Sequence, residues 1–373
     1  MGRMRRGAAR RGPGLSGRRV RLGLLLGMAG LALAGPAAAL PPGPALLGRW
    51  VPDPLSVLAV AALAWAYLRG AVRAYRRRVP PADGRPIAFL LGLFLILLAM
   101  VSPVAALARE SAFVHQLQDA ALRVVAPLLI FASRPQRLVF WGLPKRLRRG
   151  AFAALWRDAR LNRWGRALAR PLVAGALNIA VFLVWLLPPM QDAAVASGAV
   201  GWLARLSQLG AGCLFFGLLF DARDPDRGGT RYGPRVVMLI TSALVMVVTG
   251  VALTMKPVEF YAAYPPGPRL LGFSPVDDEA TGGFVDWAWV SLIYLLTIVL
   301  VFFRWNAAEQ RAYARAQQRR GSNSAALQLP ETAEELWLLV TPKNRRVGLG
   351  LAIIPAVMMS LAIAIVVTLH YGV

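Results

Sequence analysis

Apolar segments at or near the length needed to cross a bilayer recur along the chain, separated by polar stretches. They lie near Pro54–Leu68, Ile87–Leu107, Phe113–Phe131, Leu172–Pro188, Val200–Phe220, Val236–Met255, Val285–Phe303 and Leu349–Tyr371. Backbone groups in lipid must be hydrogen-bonded within their own segment, so the segments are predicted to be helices rather than strands. The pattern predicts an all-α, polytopic membrane helix bundle with about eight transmembrane helices.

Residues 1–39 are predicted to be a signal peptide or an N-terminal anchor. Eight arginines between Arg3 and Arg21 precede a 13-residue apolar run, Leu22–Ala34, and three alanines follow at positions 37–39. The run is shorter than the roughly 20 residues that a spanning helix needs. Small residues after such a run are typical of signal-peptide cleavage, which favours processing after Ala39; an uncleaved anchor is the alternative.

The composition agrees with a membrane protein. Hydrophobic residues make up 57% of the 373 positions and charged residues only 16%, whereas soluble domains carry about 25% charged residues. One cysteine excludes an internal disulfide framework, and two histidines exclude an all-histidine metal cage within one chain. The Gly-x-Ser-x-Gly, His-Glu-x-x-His and Cys-x-x-Cys patterns are absent from the sequence. We therefore expect a protein that is not an enzyme.

The net charge of +25 is distributed unevenly between the predicted loops. Alternate loops hold 37 of the 43 basic residues, and the opposite loops hold four. This is a strong positive-inside signal, which places the basic loops in the cytoplasm, with anionic lipids as their partner and no role for nucleic acid. Residues 306–346 are then a cytoplasmic loop. Residues 347–373 form an extra C-terminal transmembrane helix that ends in the periplasm.

Three ionisable residues share one face of the third predicted helix. His115, Asp119 and Arg123 are four residues apart, so Asp119 would lie about 6 Å and Arg123 about 12 Å deeper than His115. Charged residues inside a bilayer are costly and usually functional, and Arg205 in another span adds to the set. The functional interpretation is a metal, proton or partner site that opens outward. The structural alternative is an Asp119–Arg123 ion pair.

Two further polar residues, Asn178 and Gln208, lie within predicted spans. Amide side chains in such positions commonly hydrogen-bond between helices. They complete a predicted intramembrane polar network with Arg123 and Arg205.

From about residue 50 to residue 305 the chain resembles the multi-pass CtaG-type family of cytochrome c oxidase assembly factors, which makes this range a CtaG-like transmembrane domain. Asp119 and Leu186 stand where the family has histidines, and Asp286 stands where it has methionine. The segments that carry the likeness are Phe113-Val114-His115-Gln116-Leu117-Gln118-Asp119, Trp185-Leu186-Leu187-Pro188, Tyr232-Gly233-Pro234-Arg235 and Asp278-Glu279-Ala280-Thr281-Gly282-Gly283-Phe284-Val285-Asp286-Trp287.

The resemblance implies a protein of the bacterial cytoplasmic membrane that helps a haem–copper cytochrome c oxidase to mature, at the copper-insertion step. It implies oxidase subunits as partners and copper as the one candidate cofactor. The site residues that carry over are His115 and Asp278 for metal or partner binding, and helical spacing adds Asp119 to them. The structural motif residues are Gly282, Gly283, Trp287, Trp185 and Pro188. Two alternatives stay open: a transporter or proton-conducting bundle, and a metal-free structural scaffold.

Overall fold

The computed structural model describes residues 48–81, 84–150, 158–221, 223, 229–267 and 269–320, and the regular secondary structure of these residues is helical, with no strand among them. The α-helices are α1 (Pro54–Arg76), α2 (Arg85–Val101), α3 (Pro103–Leu107), α4 (Ala112–Ala120), α5 (Ala126–Ala132), α6 (Gln136–Gly142), α7 (Lys145–Arg149), α8 (Ala159–Leu168), α9 (Pro171–Leu186), α10 (Pro188–Ala196), α11 (Gly198–Leu219), α12 (Tyr232–Met255), α13 (Pro275–Phe284) and α14 (Ser291–Arg320). The all-α prediction is confirmed for these residues.

Among the described residues, four helices are long and apolar enough to cross a membrane, or five if one bent pair forms a single span. They are Pro54–Arg76, Gly198–Leu219, Tyr232–Met255 and the continuous helix Pro275–Arg311, which runs from α13 into α14. The predicted number of about eight is not confirmed. The helix α2 is apolar but has only 17 residues, and the predicted eighth span lies outside the described residues.

The predicted third span is helical throughout but is not among the four candidates. It runs from α4 through a π-helical segment, Ala121–Val125, into α5. Its polar residues account for this, because histidine, glutamine, aspartate and arginine lower its apolar character below that of a typical span. The same residues are the reason to look for chemistry in this helix.

The predicted fourth span is bent by 72° where α9 meets α10. Proline at position 188 lacks the N–H that would continue the helix, and it forces the residue before it into an extended conformation. Leu187 accordingly has φ −63° and ψ 131°. The bend brings α10 beside the start of α11, which Ser197 caps through a 3.5 Å hydrogen bond from the Val200 N–H.

Two π-helical segments interrupt long helices of the bundle. Ala121–Val125 lies between α4 and α5, and Val285–Val290 lies between α13 and α14. Single π-turns inside α-helices are uncommon and are frequent at functional sites. Each of these segments carries a buried charged residue, Arg123 in the first and Asp286 in the second.

One end of the bundle collects arginines that lie against aromatic rings. Arg77 and Arg137 lie 5.1 and 4.4 Å from the ring centroid of Trp141, and Arg304 lies 4.5 Å from that of Phe220. Such cation–π pairs suit a region where apolar surface meets water and phosphate. This end comprises the loops that the sequence predicted to be basic.

The helices α1 and α6 pack with their backbones in direct contact. A Cβ atom added to Gly70 would lie 1.8 Å from the carbonyl oxygen of Leu138, and one added to Gly142 would lie 1.6 Å from that of Ala66. Only a hydrogen atom fits at either position. By contrast, a Cβ on Gly210 in α11 would meet nothing within 4 Å.

We predict that Gly70→Ala lowers the stability of the purified protein, because the added methyl group must push α1 and α6 apart. Overpacking of this kind costs about 1–3 kcal/mol or more. The matched control, Gly210→Ala, should leave the melting temperature unchanged or raise it slightly, since alanine favours helix by up to about 1 kcal/mol. Thermal unfolding in detergent gives both values, and equal behaviour of the two variants would contradict the packing described.

Candidate functional site

His115 lies at the edge of a small cleft, at the end of the bundle opposite Trp141 and the arginines that contact it. The cleft encloses about 270 Å³ including its mouth, with room inside for roughly one water molecule. The Nδ1 atom of His115 is 3.2 Å from the carbonyl oxygen of Ala108, which requires a proton on Nδ1. The Nε2 atom of the same ring lies 4.0 Å from Oδ2 of Asp119.

Asp119 is buried one turn further along α4. Its Oδ2 atom accepts a hydrogen bond of 2.8 Å from Nε2 of Gln208 on α11. The other oxygens of this pair, Oδ1 of Asp119 and Oε1 of Gln208, have no hydrogen-bond partner among the described residues. Gln208 therefore joins α11 to α4, as its position in the sequence predicted, and the pair retains free acceptor capacity.

Arg123 forms its ion pair with Asp286 and not with Asp119. Its Nη2 atom lies 3.7 Å from Oδ1 of Asp286, and both side chains are buried completely. The guanidinium also lies 4.0 Å from the ring centroid of Phe182 and 3.8 Å from the sulfur of Met246. The Asp119–Arg123 pair considered from the sequence is therefore replaced by a pair between the two π-helical segments, which helical spacing alone could not reveal.

Asn178 and Trp185 on α9 make ordinary interhelical hydrogen bonds. The Asn178 amide donates to the Tyr294 hydroxyl at 3.4 Å, and the Trp185 indole donates to Ser207 at 2.7 Å. These contacts fasten α9 to α14 and α11. Their role is consistent with packing rather than with ligand binding.

Asp278 binds the start of the helix that carries His115. Its Oδ1 accepts from the Ser111 hydroxyl and its Oδ2 from the Ala112 N–H, both at 2.6 Å. Ser111 is the N-cap of α4, so the buried carboxylate satisfies donors at this helix N-terminus and complements its dipole. Arg269 approaches the same carboxylate at 3.3 Å. Asp278 thus fixes the position of α4 and is already fully engaged.

Glu279, the next residue, was not among the predicted site residues. Its carboxylate accepts from the N–H groups of Phe260 and Tyr261 at 2.9 and 3.1 Å and forms a fully buried ion pair with Lys256. It therefore holds the loop that follows α12. The Asp278-Glu279 acidic pair was visible in the sequence, but the partners of Glu279 come from a loop whose path the sequence does not specify.

This outer loop is also tied to α10, the short helix beyond the bend. The Gln191 amide donates to the Tyr264 hydroxyl at 2.9 Å, and Asp192 accepts from the Ala263 N–H at 3.1 Å. Burial raises the pKa of Tyr264 well above its usual value, so its hydroxyl stays protonated at neutral pH. The Tyr264 ring meets the His115 ring edge-on with centroids 6.3 Å apart. The loop therefore covers one side of His115.

The motif residues Gly282, Gly283 and Trp287 lie where α13 crosses its neighbours. A Cβ on Gly283 would lie 2.7 Å from the Gly250 carbonyl oxygen, and one on Gly250 would lie 2.7 Å from the Trp287 nitrogen. A Cβ on Gly282 would lie 3.1 Å from the Gln116 side chain. These residues let α13 approach both α12 and α4 closely.

The residues that we expected to form one outward-facing site fall into three groups. His115 and Arg205 line the cleft, with Asp119 and Gln208 behind them. Arg123 lies deeper, paired with Asp286, and Asp278 belongs to the loop network. Helical spacing predicted that His115 and Asp119 share a face, but it did not predict that Arg205 and Gln208 lie beside them. The third was missed because Asp278 acts on the end of α4 and not on the cleft.

The donor set does not fit a metal site. No group of three or more histidine, cysteine, aspartate or glutamate side chains within metal-binding reach occurs in the described residues. His115 and Asp119 supply one nitrogen and one hard oxygen, whereas copper(I) prefers sulfur ligands. Described residues therefore give no support for copper held by this chain.

We predict that removing one member of the buried ion pair is far more harmful than removing both. Asp286→Leu leaves the Arg123 charge uncompensated and should cost about 3–5 kcal/mol, while the double variant Arg123→Met, Asp286→Leu should recover most of that loss. Thermal unfolding of the purified variants measures the difference. Additive losses in the double variant would contradict the pairing.

The chain was compared with known protein families, curated proteins and solved structures. The profile of the cytochrome c oxidase caa3 assembly factor family, Caa3_CtaG, matches residues 65–308. No curated protein and no solved structure matches the chain significantly. The match covers well over half of the sequence and includes every site residue described above, so the chain belongs to the cytochrome c oxidase caa3 assembly factor family.

Proposed function

We propose that this protein helps a haem–copper cytochrome c oxidase to mature, as a non-catalytic factor embedded in the bacterial cytoplasmic membrane. The family match over residues 65–308 is the observation that carries this proposal. The four apolar helices support an integral position in the membrane. The arginines gathered against Trp141 and Phe220 belong to the predicted basic loops and support an orientation with that end in the cytoplasm.

In the proposed orientation the arginine–aromatic end faces the cytoplasm and its anionic lipids. The His115 cleft and the loop 256–273 then face the periplasm. The last predicted helix, residues 347–373, would return the C-terminus to the periplasm, although it lies outside the described residues. The periplasmic end is thus where the protein would meet oxidase subunits.

The structure around the cleft suits docking. Asp278 and Glu279 accept hydrogen bonds and ion pairs from the start of α4 and from the outer loop, which holds the cleft wall in one arrangement. Preorganised surfaces bind partners with less loss of conformational entropy. His115 and Arg205 line the cleft, and the hydrogen-bonded pair Asp119–Gln208 lies behind them. The proposed role of the site is recognition of a partner during assembly.

Of the possible roles in assembly, a scaffold that binds no metal fits the available side-chain ligands better than a copper-binding role does. His115 and Asp119 are two donors where a retained copper ion would need more. Copper insertion would then depend on a partner that carries the metal. No step of the proposed role passes through copper bound to this chain.

The proton-conducting alternative is less well supported by the contacts. A proton path from Asp119 towards Asp286 would pass Arg123, which keeps its charge in proteins and repels protons. Phe182 and Met246 line the same guanidinium. This arrangement is typical of a fixed ion pair between helices.

We predict that Asp119→Ala and His115→Ala fail to restore oxidase assembly in a strain that lacks the gene. Both variants alter the base of the cleft, since Asp119→Ala also leaves the Gln208 amide without its partner. The control Asp277→Ala removes an exposed carboxylate next to the motif and should restore activity fully. Oxidase activity, its haem–copper spectrum and the level of the variant in membranes are recorded together. Full rescue by both cleft variants at normal protein levels would exclude the cleft from the function.

We also predict that the protein purified from copper-supplemented cells contains copper well below one ion per chain. The described residues offer too few donors in one place to retain the ion during purification. Elemental analysis after removal of loosely bound metal makes the measurement. Equimolar copper that is lost in His115→Ala would contradict the scaffold proposal and favour a copper-binding role.

A further inference from the structure

The cleft beside His115 is lined by two arginines on different parts of the chain. Arg109 precedes α4, and Arg205 lies two turns into α11. Both lie over the first turns of α11: a Cβ on Gly198 would be 3.9 Å from Nη2 of Arg109, and one on Gly201 would be 3.7 Å from Nη1 of Arg205. The fold therefore brings two positive charges to one small cleft at the proposed periplasmic end.

Neither arginine has a carboxylate within ion-pair distance among the described residues. The nearby acids are Asp119 and Asp53, which attract Arg205 from a distance, while Arg109 repels it. Asp119 is bound by Gln208, and Asp53 caps α1 through Ser56. The Nε–H of Arg205 is buried with no hydrogen-bond acceptor among these residues. Two like charges and an unused buried donor thus share the cleft.

The backbone around the cleft also favours an anion. The first turn of the 22-residue helix α11 forms part of its wall, and helix N-termini carry partial positive charge. Gly201 permits the wall to form, because a Cβ there would lie 2.5 Å from the Ala194 carbonyl oxygen. The interior has room for about one water-sized group, so one oxygen of a carboxylate can enter while the carbon chain stays at the mouth. Guanidinium groups bind carboxylates through paired, charge-assisted hydrogen bonds.

We propose that Arg109 and Arg205 bind a single carboxylate group, and that its source is an acidic side chain of the oxidase partner. This assignment of the occupant rests on the proposed assembly function. The carboxylate would lie between the two guanidiniums, accept from the free Nε–H of Arg205 and relieve the repulsion between the charges. A free small carboxylic acid offers the same chemistry, and the experiment separates the two sources.

The test measures binding to the purified full-length protein in detergent by isothermal titration. The probes are sodium formate and blocked aspartate (N-acetyl-aspartate N-methylamide), with ionic strength kept constant by a bulky sulfonate that does not fit the cleft. We expect saturable binding of both probes. Arg109→Gln and Arg205→Gln should each weaken it at least tenfold, while Arg137→Gln, at the opposite end of the bundle against Trp141, should leave it unchanged.

The titrations test the carboxylate site separately from the proposed role in oxidase assembly. Absence of saturable binding, or equal binding by Arg109→Gln, would overturn the carboxylate site. Arg109 is exposed, so its variant is expected to fold even if Arg205→Gln does not; unfolding curves without probe check both. Binding of formate but not of blocked aspartate would overturn the protein partner as its source. A failure of gene complementation by itself leaves these titrations unaffected.

Discussion

The ion pair between Arg123 and Asp286 is the interaction on which the arrangement of the bundle depends. Two charges are buried completely among apolar helices, and neither could remain there without the other, because a lone charge in such surroundings is strongly destabilising. The pair joins the helix that carries His115 to the long helix Pro275–Arg311. Each partner lies in a π-helical turn, which shifts its side chain relative to a regular helix and brings the two charges together.

A second set of charges fastens the same two helices nearer the surface. Asp278, eight residues before Asp286 in the chain, caps α4, and Glu279 holds the loop after α12. The helices are thereby fixed at two depths, and the His115 cleft lies beside the fixed region. A small cleft with two unpaired arginines in its wall can keep its shape only if the surrounding backbone is held in this way. The contacts that stabilise the buried charges therefore also maintain the shape of the cleft.

Part of this organisation follows from the sequence. The length and apolarity of the segments predict helices, and four-residue spacing correctly brings His115 and Asp119 to one face. The partner of Arg123 could not be predicted in the same way, because Asp286 is distant in sequence and π-turns alter the register. The predicted number of spans is not confirmed either, because α2 has only 17 residues and the third helix is too polar to be among the four candidates in the described residues. The loop network was missed because hydrogen bonds to backbone N–H groups leave no pattern in the side-chain sequence.

We propose that the His115 cleft meets the oxidase during assembly. Placing a photo-crosslinking amino acid at Ala196, an exposed position beside the cleft, and illuminating intact cells tests it most directly. The same residue at Leu172, exposed at the start of α9, serves as the control. The account predicts a crosslink from position 196 to an oxidase subunit and none from position 172. Crosslinks to the oxidase from position 172 alone, or from neither position while assembly proceeds normally, would contradict it.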